Sequence, residues 1–254
     1  MSDLFDYFAN NPGRFMLKWF HYFDVYERHF AAFRGQEITF LEIGVFHGGS
    51  MQMWKNFFGP NAKIIGVDIN PACKEFEEDQ ITIEIGSQSD RNFLKELAAK
   101  HGPFDIVLDD GGHTMEQQIV SFEELYPHVK RDGLYLCEDL HTSYWHNWGG
   151  GYRQPWTFIE YAKRFIDDLH AWHSRDPESF RVTPFTRSAF GLHFYDSILV
   201  IEKRLMTPPI QRGTGVPSFP SEAPQQVQTL QAEPTQAEPK AEGKPKAAKK
   251  KKAK

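Results

Sequence analysis

Short apolar runs alternate along this chain with segments whose apolar residues recur every three or four positions. Ile38–Ile43 (ITFLEI), Lys63–Asp68 (KIIGVD), Ile81–Ile85, Phe104–Leu108 and Gly133–Cys137 (GLYLC) read as five strands, bounded by glycine or polar residues. Helical spacing marks Ser50–Phe58, Asp90–Lys100, a segment from Thr114 to about Leu125, and Pro155–Trp172. In the second of these the apolar positions are Phe93, Leu94, Leu97 and Ala98, and Asp90 is placed as the N-cap. Phe190–Tyr195 and Ile198–Glu202 flank Asp196-Ser197, a two-residue turn that predicts an antiparallel hairpin. Ahead of the first strand, FMLKWFHYFDVYERHF predicts amphipathic helices within the first 35 residues. Strands alternating with helices predict an α/β fold: a mostly parallel sheet with helices on both faces and an antiparallel hairpin at one edge.

The pattern stops near Thr207. Pro, Gln, Ala, Glu and Lys dominate from there on, too polar to offset the entropy of ordering, so a disordered tail is expected; QAEP at Gln231 and Gln236 is a short repeat within it. Three regions follow: a helical segment over 1–37, the sheet domain over 38–206, and the tail over 207–254. Lys240–Lys254 holds eight lysines and one glutamate, which leaves −12 on residues 1–239 of a chain whose total is −5. An acidic body argues against a nucleic-acid groove. The lysine run reads as a solvated tail, with contact to an anionic partner as the alternative. Cys73 and Cys137 are too few for a disulfide framework and lack metal-ligand spacing. No apolar run approaches the roughly 20 residues of a membrane span, and the N-terminus does not read as a signal peptide. A cytoplasmic protein in a reducing compartment is expected.

Candidate chemistry lies at the strand ends. FLEIGVFHGGS (Phe40–Ser50) ends the first strand at Glu42-Ile43-Gly44 and opens a helix at Gly48-Gly49-Ser50, where backbone approach and a helix N-terminus suit a ligand with an anionic group. The spacing is not the dinucleotide G-x-G-x-x-G. The second strand ends in Asp68, placed to accept hydrogen bonds from a ribose diol, and the third runs into Gly86-Ser87-Gln88-Ser89-Asp90, suited to the edge of a base. Any one of these alone is an ordinary turn; three in this order point to a nucleoside-type ligand.

These residues resemble the class I S-adenosylmethionine-dependent methyltransferases. Glu42-x-Gly44-x-x-x-Gly48 looks like their first motif and Asp68 like their ribose-binding acid, over a match from about Ile38 to Arg204. The resemblance implies a Rossmann-like, seven-stranded sheet ordered 3-2-1-4-5-7-6. It also implies S-adenosyl-L-methionine held by Glu42, Gly44, Gly48, Ser50, Asp68 and Gln88, with Asp109 against the cofactor or behind a metal.

Two acidic clusters end the fourth and fifth strands: Asp109-Asp110-Gly111-Gly112-His113 and Glu138-Asp139-Leu140-His141. Crowded carboxylates resist ionising together, and a hard cation such as Mg²⁺ relieves this with oxygen ligands. The bland alternative makes Asp109 and Asp110 helix caps and Glu138 and Asp139 solvated loop acids. Asp110-x-x-His113 followed by Glu138-Asp139 resembles the metal-dependent sugar O-methyltransferases of macrolide pathways, of the mycinamicin and macrocin type, and also the cephalosporin-hydroxylase-like group. That resemblance implies that Asp110, Glu138 and Asp139 hold Mg²⁺ or another divalent cation and that His113 is the general base. Lys18–Phe30 also resembles the segment before the sheet in that group, with His21 and Tyr22 as contacts to ligand or as helix packing. No extensive N-terminal domain of the kind carried by the larger antibiotic enzymes is read ahead of the sheet.

The expected reaction is methyl transfer to a hydroxyl of a sugar or glycosylated small molecule, its vicinal diol chelated by the metal and deprotonated by His113. Tyr144, Trp145, Trp148 and Tyr152 in the loop His141–Trp156 would stack on the substrate or pack as a buried loop, with Gly149-Gly150-Gly151 as a hinge; His141 and His146 are secondary polar candidates. Other readings are a catechol-type or other small-molecule O-methyltransferase, an oxidative enzyme, and a non-catalytic cofactor-binding scaffold. The carboxylate-rich cluster does not suit the oxidative reading, which expects two histidines and one carboxylate on iron. A homo-oligomer is left open.

Overall fold

The computed structural model describes residues 3–219. Seven strands form one sheet: β1 (Thr39–Ile43), β2 (Lys63–Asp68), β3 (Ile81–Ile85), β4 (Phe104–Asp109), β5 (Val129–Cys137), β6 (Ala189–Tyr195) and β7 (Ile198–Lys203). Their order is β3-β2-β1-β4-β5-β7-β6. The first five are parallel, β7 runs antiparallel to β5, and β6 antiparallel to β7. Order and directions are those implied by the motifs.

Six helices flank the sheet: α1 (Asp3–Ala9), α2 (Tyr22–Phe30), α3 (Gly49–Phe58), α4 (Arg91–His101), α5 (Met115–Leu125) and α6 (Phe158–His170). Their starts follow from capping chemistry. The Asp90 carboxylate accepts from the backbone N–H of Asn92 and Phe93. Thr114 and Gln117 form a capping box, and the Thr157 hydroxyl accepts from Glu160 N–H. Thr157 also explains why α6 starts at Phe158 and not at Pro155. β5 starts at Val129, earlier than the apolar run GLYLC suggests, because its first turn of strand is the polar Lys130-Arg131-Asp132 beside a register shift against β4.

Strand residues alternate between two cores. Phe40, Ile64, Ile106, Leu136 and Val200 face α1, α2 and α3, whereas Leu41, Ile65, Val107, Tyr135 and Ile201 face α4, α5 and α6. Trp54 of α3 is fully buried against Tyr26, Phe30 and Phe40, and so fastens α2 to the sheet. The chain from α1 to α2 then crosses the carboxyl ends of the strands without regular structure. Residues 207–219 contain no helix or strand, and the rest of the expected tail, with its lysine run, lies outside the described residues. Among the described residues no helix is long and apolar enough to cross a membrane.

Candidate active site

A cavity of about 360 Å³ opens at the carboxyl ends of β1, β2 and β4. Gly44, Ser50, Asp68 and Gln88 line it, as the sequence places them. Gly44 has φ +98°, and a Cβ there would lie 2.0 Å from the Asp110 carbonyl oxygen, so the ends of β1 and β4 can approach only through glycine. Asp68 Oδ2 accepts from the N–H of Val45 and Phe46 at 3.0 and 2.9 Å, and Oδ1 from Asn70 N–H at 2.8 Å. Those bonds hold the β1 loop beside the carboxylate. Gln88 Nε2 donates to Asp109 Oδ1 and Ser121 Oγ, and its Oε1 accepts from Gly112 N–H. Its side chain therefore braces the end of β4.

Three expected cofactor residues stand behind this wall. Glu42 turns to the α2–α3 side, where its Oε2 accepts from Ser50 Oγ at 2.8 Å. Gly48, the left-handed N-cap of α3, is covered by the Phe76 ring. Asp109 faces the α5 side, 1% exposed, with Gln88 and Tyr135 as its partners. Burial pushes both carboxyls, Glu42 and Asp109, up to about 7.

The acidic ends of β4 and β5 meet around a residue that the sequence reading did not assign, Lys18. Its ammonium donates to Asp110 Oδ2 at 2.5 Å and Glu138 Oε2 at 3.0 Å, and lies 3.7 Å from Glu42 Oε1. Burial works against the lysine's charge, but Asp110, Glu138 and Glu42 outweigh it and hold the group protonated. Glu138 is 1% exposed and takes its second hydrogen bond from the Tyr26 hydroxyl. Burial and Asp110 push its carboxyl up against the pull of Lys18. Asp139, at φ +56°, accepts from the Tyr22 hydroxyl at 2.6 Å, and its other oxygen lies 3.2 Å from His113 Nε2. His113, also at positive φ, has Nε2 3.9 Å from Asp110 Oδ1 and a buried Nδ1 without a partner.

The reading of helix caps and solvated acids does not survive this arrangement. Thr114 caps α5, and Glu138 is buried. Three carboxylates, Glu42, Asp110 and Glu138, converge on one lysine, and Asp139 has an oxygen within 4.8 Å of Asp110, so the site carries an excess of negative charge that a cation would relieve. Asp110, His113 and Asp139 each offer one ligand atom, all within 4.8 Å of one another, which suits a divalent ion. Both Glu138 oxygens are already engaged, by Lys18 and Tyr26. A second cavity of about 330 Å³ lies beyond, lined by Trp19, Tyr22 and Glu138, and it shares Leu17, Lys18, Asp110 and Asp139 with the first.

Lys18 and Tyr26 had one sequence signal: polar groups within an aromatic segment, FMLKWFHYFDVY. His21 instead meets the Asp196 carbonyl, and His141 the Ser197 hydroxyl. Tyr144 and Trp145 are 46% exposed and Tyr152 is exposed further, so the aromatic loop is no buried packing element. Trp148 packs against the His113 ring, 5.9 Å between centroids.

Sheet order, the cavity at the carboxyl ends of β1 and β2 and the glycine turn between them define a Rossmann-like class I methyltransferase domain. Residues 41–140 match the family model for a methyltransferase domain. Demethylmacrocin O-methyltransferase of Streptomyces fradiae is 41% identical over 190 residues, covering 70% of this chain and 47% of that protein. Mycinamicin VI 2''-O-methyltransferase of Micromonospora griseorubida is 38% identical over 190 residues, covering 70% and 47%. The solved MycE methyltransferase of the mycinamycin biosynthetic pathway, in complex with Mg and SAH, matches with a TM-score of 0.71 and 36% identity, over 80% of this chain and 55% of that one. The chain thus spans about half the length of the curated relatives it matches.

Proposed function

We propose that this chain is an S-adenosylmethionine-dependent O-methyltransferase acting on a sugar hydroxyl of a glycosylated small molecule. The observation that carries the reading is the pair of adjoining cavities whose common wall is Leu17, Lys18, Asp110 and Asp139. The cavity with Asp68 and the glycine turn suits the cofactor, and the one with Trp19 and Tyr22 suits an acceptor with a polar edge and an apolar face. The named substrates of the relatives, demethylmacrocin and mycinamicin VI, support a glycoside as acceptor.

Asp110, Glu138 and Asp139 are the residues that would hold a divalent cation, and Lys18 is the resident charge with which that ion competes. When bound, such an ion supplies Lewis acidity toward an acceptor hydroxyl and fixes a diol. His113 takes the proton: as an imidazolium it is stabilised by Asp139 at 3.2 Å and Asp110 at 3.9 Å. Tyr22 holds Asp139 by its other oxygen, and so orients the carboxylate that faces the base. Trp148 covers one side of the imidazole and limits water there. Both cysteines are buried and free, which supports a reducing, cytosolic setting for this chemistry.

Methyl transfer to a panel of glycosides, assayed with Mg²⁺ and with excess EDTA, tests the reading. Transfer that disappears in chelator and returns with Mg²⁺ is expected. Full activity in chelator removes the metal role, and calorimetry showing no S-adenosylmethionine binding removes the enzyme and leaves a scaffold.

A further inference from the structure

Away from the strand ends, the last turn of α2 meets the β6–β7 hairpin through two imidazoles and a carboxylate. His193 and Glu202 are diagonal neighbours on one face of the hairpin, with His193 Nε2 2.8 Å from Glu202 Oε1. His29 packs over them, its ring centroid 4.9 Å from that of His193 and its Nδ1 4.0 Å from Glu202 Oε1. One ligand atom from each residue lies within 4.8 Å of the other two. From this cluster we infer a binding site for a divalent transition-metal ion of the zinc class, formed by His29, His193 and Glu202.

The chemistry selects the ion. Two imidazole nitrogens and one carboxylate oxygen suit Zn²⁺, Co²⁺ or Ni²⁺, whereas Mg²⁺ prefers an all-oxygen shell. Ligand bonds of about 2.1 Å in a tetrahedron separate ligand atoms by about 3.4 Å, between the 2.8 and 4.0 Å observed here. His29 Nε2 lies 2.9 Å from the Tyr195 hydroxyl. That partner fixes the ring and leaves Nδ1 as the ligand, the outer contact that metal-binding histidines usually carry. The His193 side chain is 38% exposed, which gives an ion a way in and leaves a fourth position to water.

The site is separate from the acidic cluster. His29 lies seven residues along α2 from Tyr22, about 10 Å down the helix axis. An ion there ties α2 to the hairpin, and α2 is the helix that delivers Tyr22 and Tyr26 to Asp139 and Glu138.

Titrating the metal-free full chain with Co²⁺ in excess Mg²⁺, followed by the visible d–d absorption, tests the inference. The expected result is a saturable band at one equivalent, lost in His193→Ala and Glu202→Gln and retained in His170→Ala, an exposed histidine of α6. Zn²⁺ at ~100-fold excess over its Kd should also raise the wild-type Tm by about 5 °C and leave His193→Ala unmoved. Circular dichroism checks that both variants fold. A band that survives in His193→Ala, or one abolished by Asp110→Asn in its place, overturns the inference, as does the absence of any saturable band.

Discussion

At the ends of β1, β2 and β3 the cavity wall is built from backbone and from contacts between neighbouring strands, whereas at the ends of β4 and β5 it is built from side chains far apart in the chain. Asp68 grips backbone N–H groups only 22 and 23 residues away. Lys18 reaches 92 residues to Asp110 and 120 to Glu138, and Tyr22 reaches 117 to Asp139. The first half is a property of the sheet; the second needs the segment ahead of it. Any Rossmann-like sheet can offer a nucleoside cleft. What sets this cleft apart is the set of acids at the ends of β4 and β5, over which the N-terminal segment lays Lys18 and Tyr22.

If the two halves do different work, the largest effect should come from the second. His113→Ala should lower kcat by about 10²–10⁴-fold, the usual range for a lost general base, with cofactor affinity unchanged by calorimetry. Near-native turnover would remove His113 from the base role. Lys18→Met should come next. It leaves the buried Glu138 and Glu42 and the half-buried Asp110 without their counter-charge, at a cost of about 3–5 kcal/mol in chemical denaturation without metal. Mg²⁺ should stabilise this variant more than the wild type, since the competing ammonium is gone. A denaturation midpoint equal to the wild type's would show that the acids do not depend on Lys18.

The first half should respond in binding alone. Asp68→Asn keeps one acceptor oxygen where the carboxylate used two against three backbone donors, so the β1 loop loosens. S-adenosylmethionine affinity should fall about tenfold, ~1.4 kcal/mol, with kcat at saturating cofactor close to the wild type. A fall in kcat with unchanged affinity would place Asp68 in the wrong half.

The same division decides how much of the molecule could be read from the sequence. Strand alternation, the Asp90 and Thr114 caps and the Asp196-Ser197 turn are local signals, and the elements they predict are there within a residue or two, save the polar start of β5, four residues ahead of its apolar run. The clustering of Asp110 with His113 and of Glu138 with Asp139 was also local, and their meeting followed from the adjacency of β4 and β5. Lys18 was not legible in the same way. Nothing in FMLKWFHYF says that one lysine folds inward onto acids a hundred residues on, because its partners are fixed by packing. Glu42, Gly48 and Asp109 fit the motif but lie behind the cavity wall, a matter of which face each residue takes.

Asp109 offers the finest test of that wall. Its carboxyl is raised by burial from 3.8 to about 7, although it accepts hydrogen bonds from Gln88 and Tyr135. The folded chain therefore keeps a proton that the unfolded chain releases between pH 3.8 and about 7. Stability falls as pH rises across that window and levels off above it. Asp109→Asn preserves the shape and the bond from Gln88 but never ionises. The variant should match or fall slightly below the wild type near pH 4, then gain on it as pH rises. Above pH 7 the gain should level at up to about 4 kcal/mol, each pKa unit being worth about 1.4 kcal/mol. Because Asp109 serves as a brace in this arrangement, cofactor affinity should stay unchanged throughout. A loss of affinity without the pH-dependent gain would move Asp109 from the brace to the cofactor's own contacts, and the boundary between the two halves would shift with it.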